Sequence, residues 1–126
     1  MGVFAWGNPP TFPGLTYANS STYSYAGTQS YVGSQVTTLV SHPILTGING
    51  SISISGSYTQ AVSLTSGSTA IASYANSTSF LAVRTPGSAK LVGINIYPAV
   101  SWSPGSNQNN ITRYVLNSIY WCIGSL

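Results

Sequence analysis

The chain has 126 residues, which is enough for one domain built around a single core. Its hydrophobic fraction of 43% is that of a globular protein, but only 2% of its residues are charged, against about 25% in an ordinary soluble domain. It contains no Asp and no Glu, so catalysis by paired carboxylates, a Ser-His-Asp triad, and a calcium or magnesium site built on carboxylates are all excluded.

The charge balance also bounds the partners. The only cations are Arg84, Lys90 and Arg113, and a net charge of +3 this dispersed predicts no nucleic-acid interface. A fold without Asp or Glu side chains loses no stability when such groups take up protons, so we expect it to tolerate acid. A nearly neutral surface also gives copies of the chain little repulsion to keep them apart. Both properties suit an extracellular or cell-surface protein that assembles.

The first 35 residues predict an extended region rich in Tyr and Ser. VFAW has the length of a short strand, and Pro and Gly then break regular structure. Residues 15–35 are low in complexity, and their tyrosines alternate only in part, so an extended arm, an irregular loop and a weak edge strand all remain open. We therefore divide a single domain, residues 1–126, into an arm at 1–35 and a core at 36–126.

The only histidine, His42, lies in the segment SHPILTGI. Pro43 disfavours helical backbone at the residue before it, so the apolar run VTTLV is expected to end in a turn at His42. A short helical turn should follow. The residues expected to pack inward from this turn are Ile44, Leu45 and Ile48.

The middle of the chain carries strand signals. Alternating Ile and Ser from residue 52 predicts a strand, and Gly56 is placed for a bulge within it. The turn signals that separate the following strands lie at residues 65–68, 76–77 and 85–88. The nearly continuous apolar run at residues 89–97 predicts a strand that is covered on both faces.

An amphipathic helix is predicted at the C-terminal end. The residues of its inner face, spaced as one side of a 3.6-residue period, are Ile111, Tyr114, Val115, Ser118, Ile119 and Cys122. Asn109 or Asn110 suits the N-cap, and Gly124 suits the position just after the last turn. Three more apolar side chains widen this surface and predict a nearly enclosed helix: Leu116, Tyr120 and Trp121.

Cys122 and His42 form the one catalytic pair that the composition leaves. The functional interpretation is a thiolate activated by imidazole. Helical spacing already accounts for Cys122 as a small packing residue, and His42 fits a turn in which its ring bonds the backbone. One His and one Cys cannot build an ordinary zinc site, and no dinucleotide, P-loop or nucleophile-elbow motif is present. We therefore predict no enzyme, no catalytic residue, no cofactor and no metal site.

Two surface features remain. The four N-x-S/T sequons, which are candidates for N-glycosylation, are at Asn19, Asn49, Asn76 and Asn110. Nine Tyr and three Trp could line a carbohydrate platform, but packing in the core or at an interface explains Trp102 and Trp121 as well. No apolar run approaches the roughly 20 residues of a membrane-spanning helix.

The order of segments also carries a resemblance. SHPILTGI is followed by a strand run, by SGSTAIASYANSTSFLAVRTPGSAKLVGINIYPA and by NNITRYVLNSIYWC. Across residues 41–122 this order resembles the C-terminal half of ThuA-like and class I glutamine-amidotransferase-like domains. Those families have a His-Pro-Ile/Leu-x-x-Gly segment, a Gly-x-Gly-(Arg/Lys)-hydrophobic strand and a last helix ending in Asn-x-x-x-Trp, and residues 87–91 and 117–121 stand at the last two places. The nucleophile elbow has no counterpart, so the resemblance implies a non-catalytic relative, or a truncated fold completed by another chain.

Together these patterns predict an α+β fold, mainly a β sheet covered by one C-terminal amphipathic helix, with an extended N-terminal region. They favour a non-catalytic secreted or cell-surface structural protein, a subunit of a homo-oligomer, filament or matrix whose arm pairs with a neighbour's sheet edge. The alternative is a degenerate amidotransferase-like or carbohydrate-binding module of a larger extracellular protein. Glycans are the one further class of partner that the sequence suggests.

Overall fold

The fold is taken from a computed structural model that describes residues 23–38, 40–48, 52–96 and 106–126, with side chains described for 36–38, 40–48, 62–96 and 111–126. These ranges contain five strands and a C-terminal α-helix, so the predicted α+β fold, mainly sheet with one C-terminal helix, is confirmed. The elements are β1 Tyr23–Thr38, a 3-10 helix Pro43–Leu45, β2 Ile52–Leu64, β3 Thr69–Tyr74, β4 Ser79–Arg84, β5 Leu91–Ile94 and α1 Ser106–Ile123.

The five strands form one antiparallel sheet in the order β2-β1-β3-β4-β5. β1 pairs with β2 along most of its length, whereas it pairs with β3 only through Val36, Thr37 and Thr38. Residues 23–35 of β1 and their β2 partners, residues 53–64, are therefore paired only with each other among the described strands. We call this two-stranded part of the sheet the ribbon.

The register of the ribbon is interrupted twice, between Tyr25 and Gln29 and between Val32 and Gly33, and the second interruption is the one that the sequence predicts. Val32 lies opposite Ser57 and Gly33 lies opposite Ser55, so Gly56 is skipped, and the predicted bulge at this glycine is confirmed. The boundary between arm and core that the sequence suggested at residue 35 falls inside β1. Residues 1–22 of the predicted arm lie outside the described residues.

The three predicted turns between the later strands are confirmed. Each contains a residue with a positive φ, and these residues are Gly67 at 81°, Ser77 at 66° and Gly87 at 59°. Backbone hydrogen bonds close the outer two turns, from Ser68 N–H to the Thr65 carbonyl at 2.9 Å and from Ala89 N–H to the Pro86 carbonyl at 3.1 Å. In both of these turns the left-handed backbone is supplied by glycine, which adopts it without steric cost.

The core lies around β3, β4 and the inner face of α1. Its buried members are Val36, Ile44, Ile48, Ile71, Ala72, Tyr74, Phe80, Leu81, Val83, Ile96, Ile111, Tyr114 and Trp121. Five successive residues of β4, 79–83, are buried, so this central strand is covered on both faces. The prediction that the run at 89–97 would be the covered strand is wrong: β5 is an edge of the sheet, and each of its residues is only half-buried.

α1 contacts the 3-10 helix, β2 and β5. Its buried side chains are Ile111, Tyr114, Ser118 and Trp121, while Val115 and Cys122 are half-buried. The placement of Ile119 on the inner face is wrong, because its side chain is 47% exposed. The predicted N-cap at Asn109 or Asn110 is also wrong, because the helix already begins at Ser106.

The C-terminal end of α1 follows the prediction. Gly124 has a φ of 81°; its N–H donates to the Trp121 carbonyl, and the N–H of Ser125 donates to the Tyr120 carbonyl. These two bonds form a Schellman motif, in which glycine at C′ satisfies the last carbonyls of the helix. The motif ends α1 at Ile123.

The outer face of α1 is apolar and open to solvent. Its exposed apolar side chains, at i, i+3, i+4 and i+7, are Leu116, Ile119, Tyr120 and Ile123. The sequence predicts a nearly enclosed helix, but the described residues leave this face of α1 uncovered. No helix in the described ranges combines the length and apolar character needed to cross a membrane.

Candidate functional site

The connection between β1 and β2 docks on α1 through its 3-10 helix. Ile44 is fully buried, which anchors the short helix in the core. Asn117 on α1 donates from Nδ2 to the carbonyls of Ile44, at 2.8 Å, and Thr46, at 3.0 Å. Arg113, one turn earlier, donates to the carbonyl of Gly47 at 3.2 Å. α1 thus satisfies three backbone carbonyls of this connection, those of Ile44, Thr46 and Gly47.

His42 begins this 3-10 helix. Its backbone is extended, with φ −153° and ψ 145°, and its Nδ1 accepts a hydrogen bond from the Ile44 N–H at 3.3 Å. The imidazole also packs edge-on against the Trp121 indole, with ring centroids 5.1 Å apart. The prediction that His42 is a turn residue whose ring bonds the backbone is confirmed. Burial, and after it the positive charge of Lys90, hold the pKa of His42 below its usual value of 6.5.

Lys90 joins the turn between β4 and β5 to the end of α1. Its Nζ donates to the Trp121 carbonyl at 3.0 Å and lies 5.0 Å from the centroid of the Trp121 ring. A cation at this place stabilises the negative end of the helix dipole and is attracted to the indole face. Trp121 therefore lies between two groups, the His42 imidazole and the Lys90 ammonium.

Cys122 is a packing residue in the last turn of α1. Its side chain is half-buried and packs against the core cluster, as the interpretation of it as a packing residue predicts. Burial raises the pKa of the thiol, which keeps it protonated and unreactive near neutral pH. Among the described residues, no hydrogen bond links its side chain to that of His42, and no group of three or more His, Cys, Asp or Glu residues could hold a metal ion.

Two buried tyrosines flank Phe80 and differ in how their hydroxyls are satisfied. Tyr74 and Tyr114 both pack edge-to-face on the Phe80 ring, at 5.4 and 5.2 Å between centroids. Tyr74 donates to the Asn95 carbonyl at 2.6 Å. The Tyr114 hydroxyl is buried without a hydrogen-bond partner among the described residues, and burial raises the pKa of this phenol to about 12.

The four sequons fall in different environments. Asn19 and Asn49 lie outside the described residues. Asn76 is exposed in the turn between β3 and β4, where its Oδ1 accepts from the N–H of Thr78, the hydroxyl residue of the same sequon, at 3.0 Å. Asn110 lies in the first part of α1, and its side chain is not described. Trp121 is buried, so it packs in the core and offers no open face to a sugar.

The ribbon is the largest unusual feature of the described chain. It is part of two long strands, β1 with 16 residues and β2 with 13, and neither strand contains a charged residue or a proline. β2 is an edge of the sheet, and β1 has no partner on its other side over residues 23–35 among the described strands. Among the described strands, two rows of backbone N–H and C=O groups are therefore without a strand partner.

Comparison of the chain with protein-family models, with curated proteins and with solved structures gave no match. The resemblance of residues 41–122 to ThuA-like and amidotransferase-like domains therefore stays a hypothesis. The contacts of Lys90 and Asn117 were not predicted from the sequence. Asn117 carried a weak signal, since a polar residue beside the inner face of a helix often bonds a neighbouring loop, whereas nothing in the local sequence marked Lys90.

Proposed function

We propose that this protein is a non-catalytic structural subunit, secreted or at the cell surface, that assembles with copies of itself by strand pairing at the edges of the ribbon. The observation that carries the proposal is the ribbon itself: two long strands, paired only with each other among the described strands, without a charge or a proline.

Open strand edges are normally protected. Natural proteins shorten them, place Lys or Pro on them, or cover them, because an unprotected edge is a template for another strand. Neither strand of the ribbon is short, and neither carries a Lys or a Pro. A two-stranded ribbon is also marginally stable in water, and each added strand satisfies one of its open edges. Pairing with an added strand therefore stabilises the ribbon, whose open edges allow that pairing.

A second copy of the chain is the partner that fits best. β1 and β2 pair antiparallel with each other, so their sequences are compatible with β pairing, and their outer edges can pair with those of a neighbouring copy. All three cations, Arg84, Lys90 and Arg113, lie outside the ribbon, and the chain has no acidic residue. Copies therefore meet at the ribbon without charge repulsion, and assembly persists at acidic pH because no Asp or Glu is present to titrate.

Placing charge on the edge strand tests this function. In the double variant Ser57→Lys, Thr59→Lys, two lysines stand on β2 within the ribbon, two residues apart and hence on one face of the strand. The matched control, Ser66→Lys with Ser88→Lys, adds the same charge in exposed turns. Sedimentation velocity and electron micrographs should show wild type and control as polymers or oligomers and the strand variant as monomers.

Two results would overturn the proposal. One is a wild-type chain that stays monomeric at high concentration. The other is a strand variant that assembles as the wild type does, while its circular dichroism shows that the fold is retained. Loss of assembly in the turn control as well would point to net charge, and it would likewise remove the ribbon from the explanation.

A further inference from the structure

In its described residues, 40–48, the segment that joins the two ribbon strands is held by buried apolar side chains and by hydrogen bonds. It leaves β1 at Thr38, passes through the 3-10 helix and enters β2 at Ile52. Besides the buried Ile44 and the carbonyl contacts from α1, the start of the 3-10 helix depends on the His42 side chain. His42 is the one titratable residue within residues 40–48, and its ring accepts a hydrogen bond from the Ile44 N–H.

We propose that His42 is an acid-sensitive latch, closed while its imidazole is neutral and opened by protonation, that fastens the connection between β1 and β2 to α1. The latch operates within a single chain and does not depend on assembly.

The geometry requires one form of the ring. Because Nδ1 accepts from the Ile44 N–H, the neutral imidazole carries its proton on Nε2. When a proton from solvent binds Nδ1, this nitrogen becomes a donor that faces another donor, and the cap at the start of the 3-10 helix is lost. The same proton places a positive charge on a ring that packs against Trp121, and the Lys90 ammonium contacts the same indole.

Among the described residues, no acidic side chain compensates that charge. From α1, the titratable or charged side chains beside this segment are Cys122, a thiol that burial keeps protonated, and Arg113, a cation bonded to Gly47. From the turn between β4 and β5 comes Lys90, also a cation. Since the chain has no Asp or Glu, no acidic side chain anywhere can pair with the imidazolium.

The direction of the pH dependence follows from these contacts. The pKa of His42 in the folded chain is below the ordinary 6.5, so between the two values the unfolded chain binds more protons than the folded one. Stability is therefore complete above about pH 6.5, falls as the pH drops through the folded pKa, and levels off below it. A chain without carboxylate side chains gives an unusually clean background for a transition of a single proton.

Two variants separate the parts of the latch. His42→Asn keeps a side chain that caps helices well and does not titrate, whereas His42→Phe keeps a ring beside Trp121 but has no acceptor. Between pH 7.5 and pH 4.5 we expect the wild-type Tm to fall by about 2–6 °C. Neither variant should show this fall; the Asn variant should match the neutral wild type, and the Phe variant should be less stable at both pH values.

A direct titration completes the test without a folded variant. Imidazole NMR signals of the wild type should titrate below pH 6.5, and hydrogen exchange of the Ile44 amide should accelerate over the same range. Equal acid profiles of wild type and His42→Asn, or an Ile44 amide whose protection does not change through the His42 titration, would overturn the latch.

Discussion

Replacing each of the two tyrosines beside Phe80 with Phe should change the free energy of unfolding in opposite directions. Tyr74 and Tyr114 are both buried and both pack edge-to-face on the same ring, so Tyr→Phe removes only a hydroxyl in each case. At position 74 the lost hydroxyl donates at 2.6 Å to the Asn95 carbonyl. At position 114 the lost hydroxyl has no hydrogen-bond partner among the described residues.

The expected magnitudes follow from the net contribution of a hydrogen bond and from the cost of leaving a buried polar group unpaired, about 1–3 kcal/mol. Tyr74→Phe removes this hydrogen bond to the buried Asn95 and should lower the free energy of unfolding by about 1 kcal/mol. Tyr114→Phe removes the unpaired group and should leave stability unchanged or raise it by about 1 kcal/mol. In a chain of this size each kcal/mol corresponds to roughly 3–6 °C in Tm, so the two variants should differ clearly.

Urea unfolding followed by circular dichroism at pH 7 measures both variants, with equal m-values as the check that unfolding exposes the same surface. The alkaline limb adds an independent readout. The pKa of the Tyr114 phenol is raised to about 12 in the fold, so wild-type stability should decline as the pH rises from about 10, where the unfolded chain ionises first. Tyr114→Phe should lose less there. If both variants are destabilised equally at pH 7, the Tyr114 hydroxyl has a partner and our reasoning is wrong.

Two further predictions concern turns. Gly47 has a φ of 71°, and a Cβ at this position would meet the Arg113 guanidinium, so Gly47→Ala should lower the free energy of unfolding by about 1–3 kcal/mol. Gly87 has a φ of 59° and open space around it, so Gly87→Ala should lower it by only about 1 kcal/mol. Thermal melts measure both variants, and equal losses of stability would contradict the role of the Arg113 contact. If the chain is expressed in a glycosylating secretory host, the exposed Asn76 should carry a glycan that intact mass detects and Asn76→Gln removes, with little change in Tm; an unmodified Asn76 peptide would refute this.

Local backbone chemistry explains what the sequence predicted well. The turns at 65–68, 76–77 and 85–88, the bulge at Gly56 and the end of α1 at Gly124 all depend on residues within a few positions of each other. His42 belongs to this group, since its bond reaches only two residues along the chain. Such features depend on the backbone conformation that a residue favours, on the absence of a side chain, or on a hydrogen bond between close residues. The residue types that favour each of these can be recognised within a short stretch of sequence.

The errors have long-range causes. Residues 89–97 are apolar enough for a central strand, but β5 pairs only with β4 among the described strands, and this order depends on the whole sheet. Ile119 fits the helical period of the inner face, yet the helix turns Trp121 inward instead. Lys90 reaches a carbonyl 31 residues away and Asn117 reaches one 73 residues away. No periodicity encodes such distances, so the contacts at the candidate site had to be read from the fold.

The antiparallel register of β1 and β2 also orders the steps by which the ribbon forms. The innermost pair of β1 and β2, Val36 with Ile52, is 16 positions apart in the sequence, while the outermost pair, Tyr23 with Leu64, is 41 positions apart. Loop closure costs more entropy as the loop lengthens, so pairing should begin at the end beside the 3-10 helix and continue pair by pair toward Tyr23 and Leu64. Opening should run in reverse, with amide exchange fastest at Tyr23 and slowest near Val36. A neighbouring strand that pairs at the end of the ribbon near Tyr23 and Leu64 would therefore meet the pairs that form last and open first. Association with this strand and the completion of folding would then be one process.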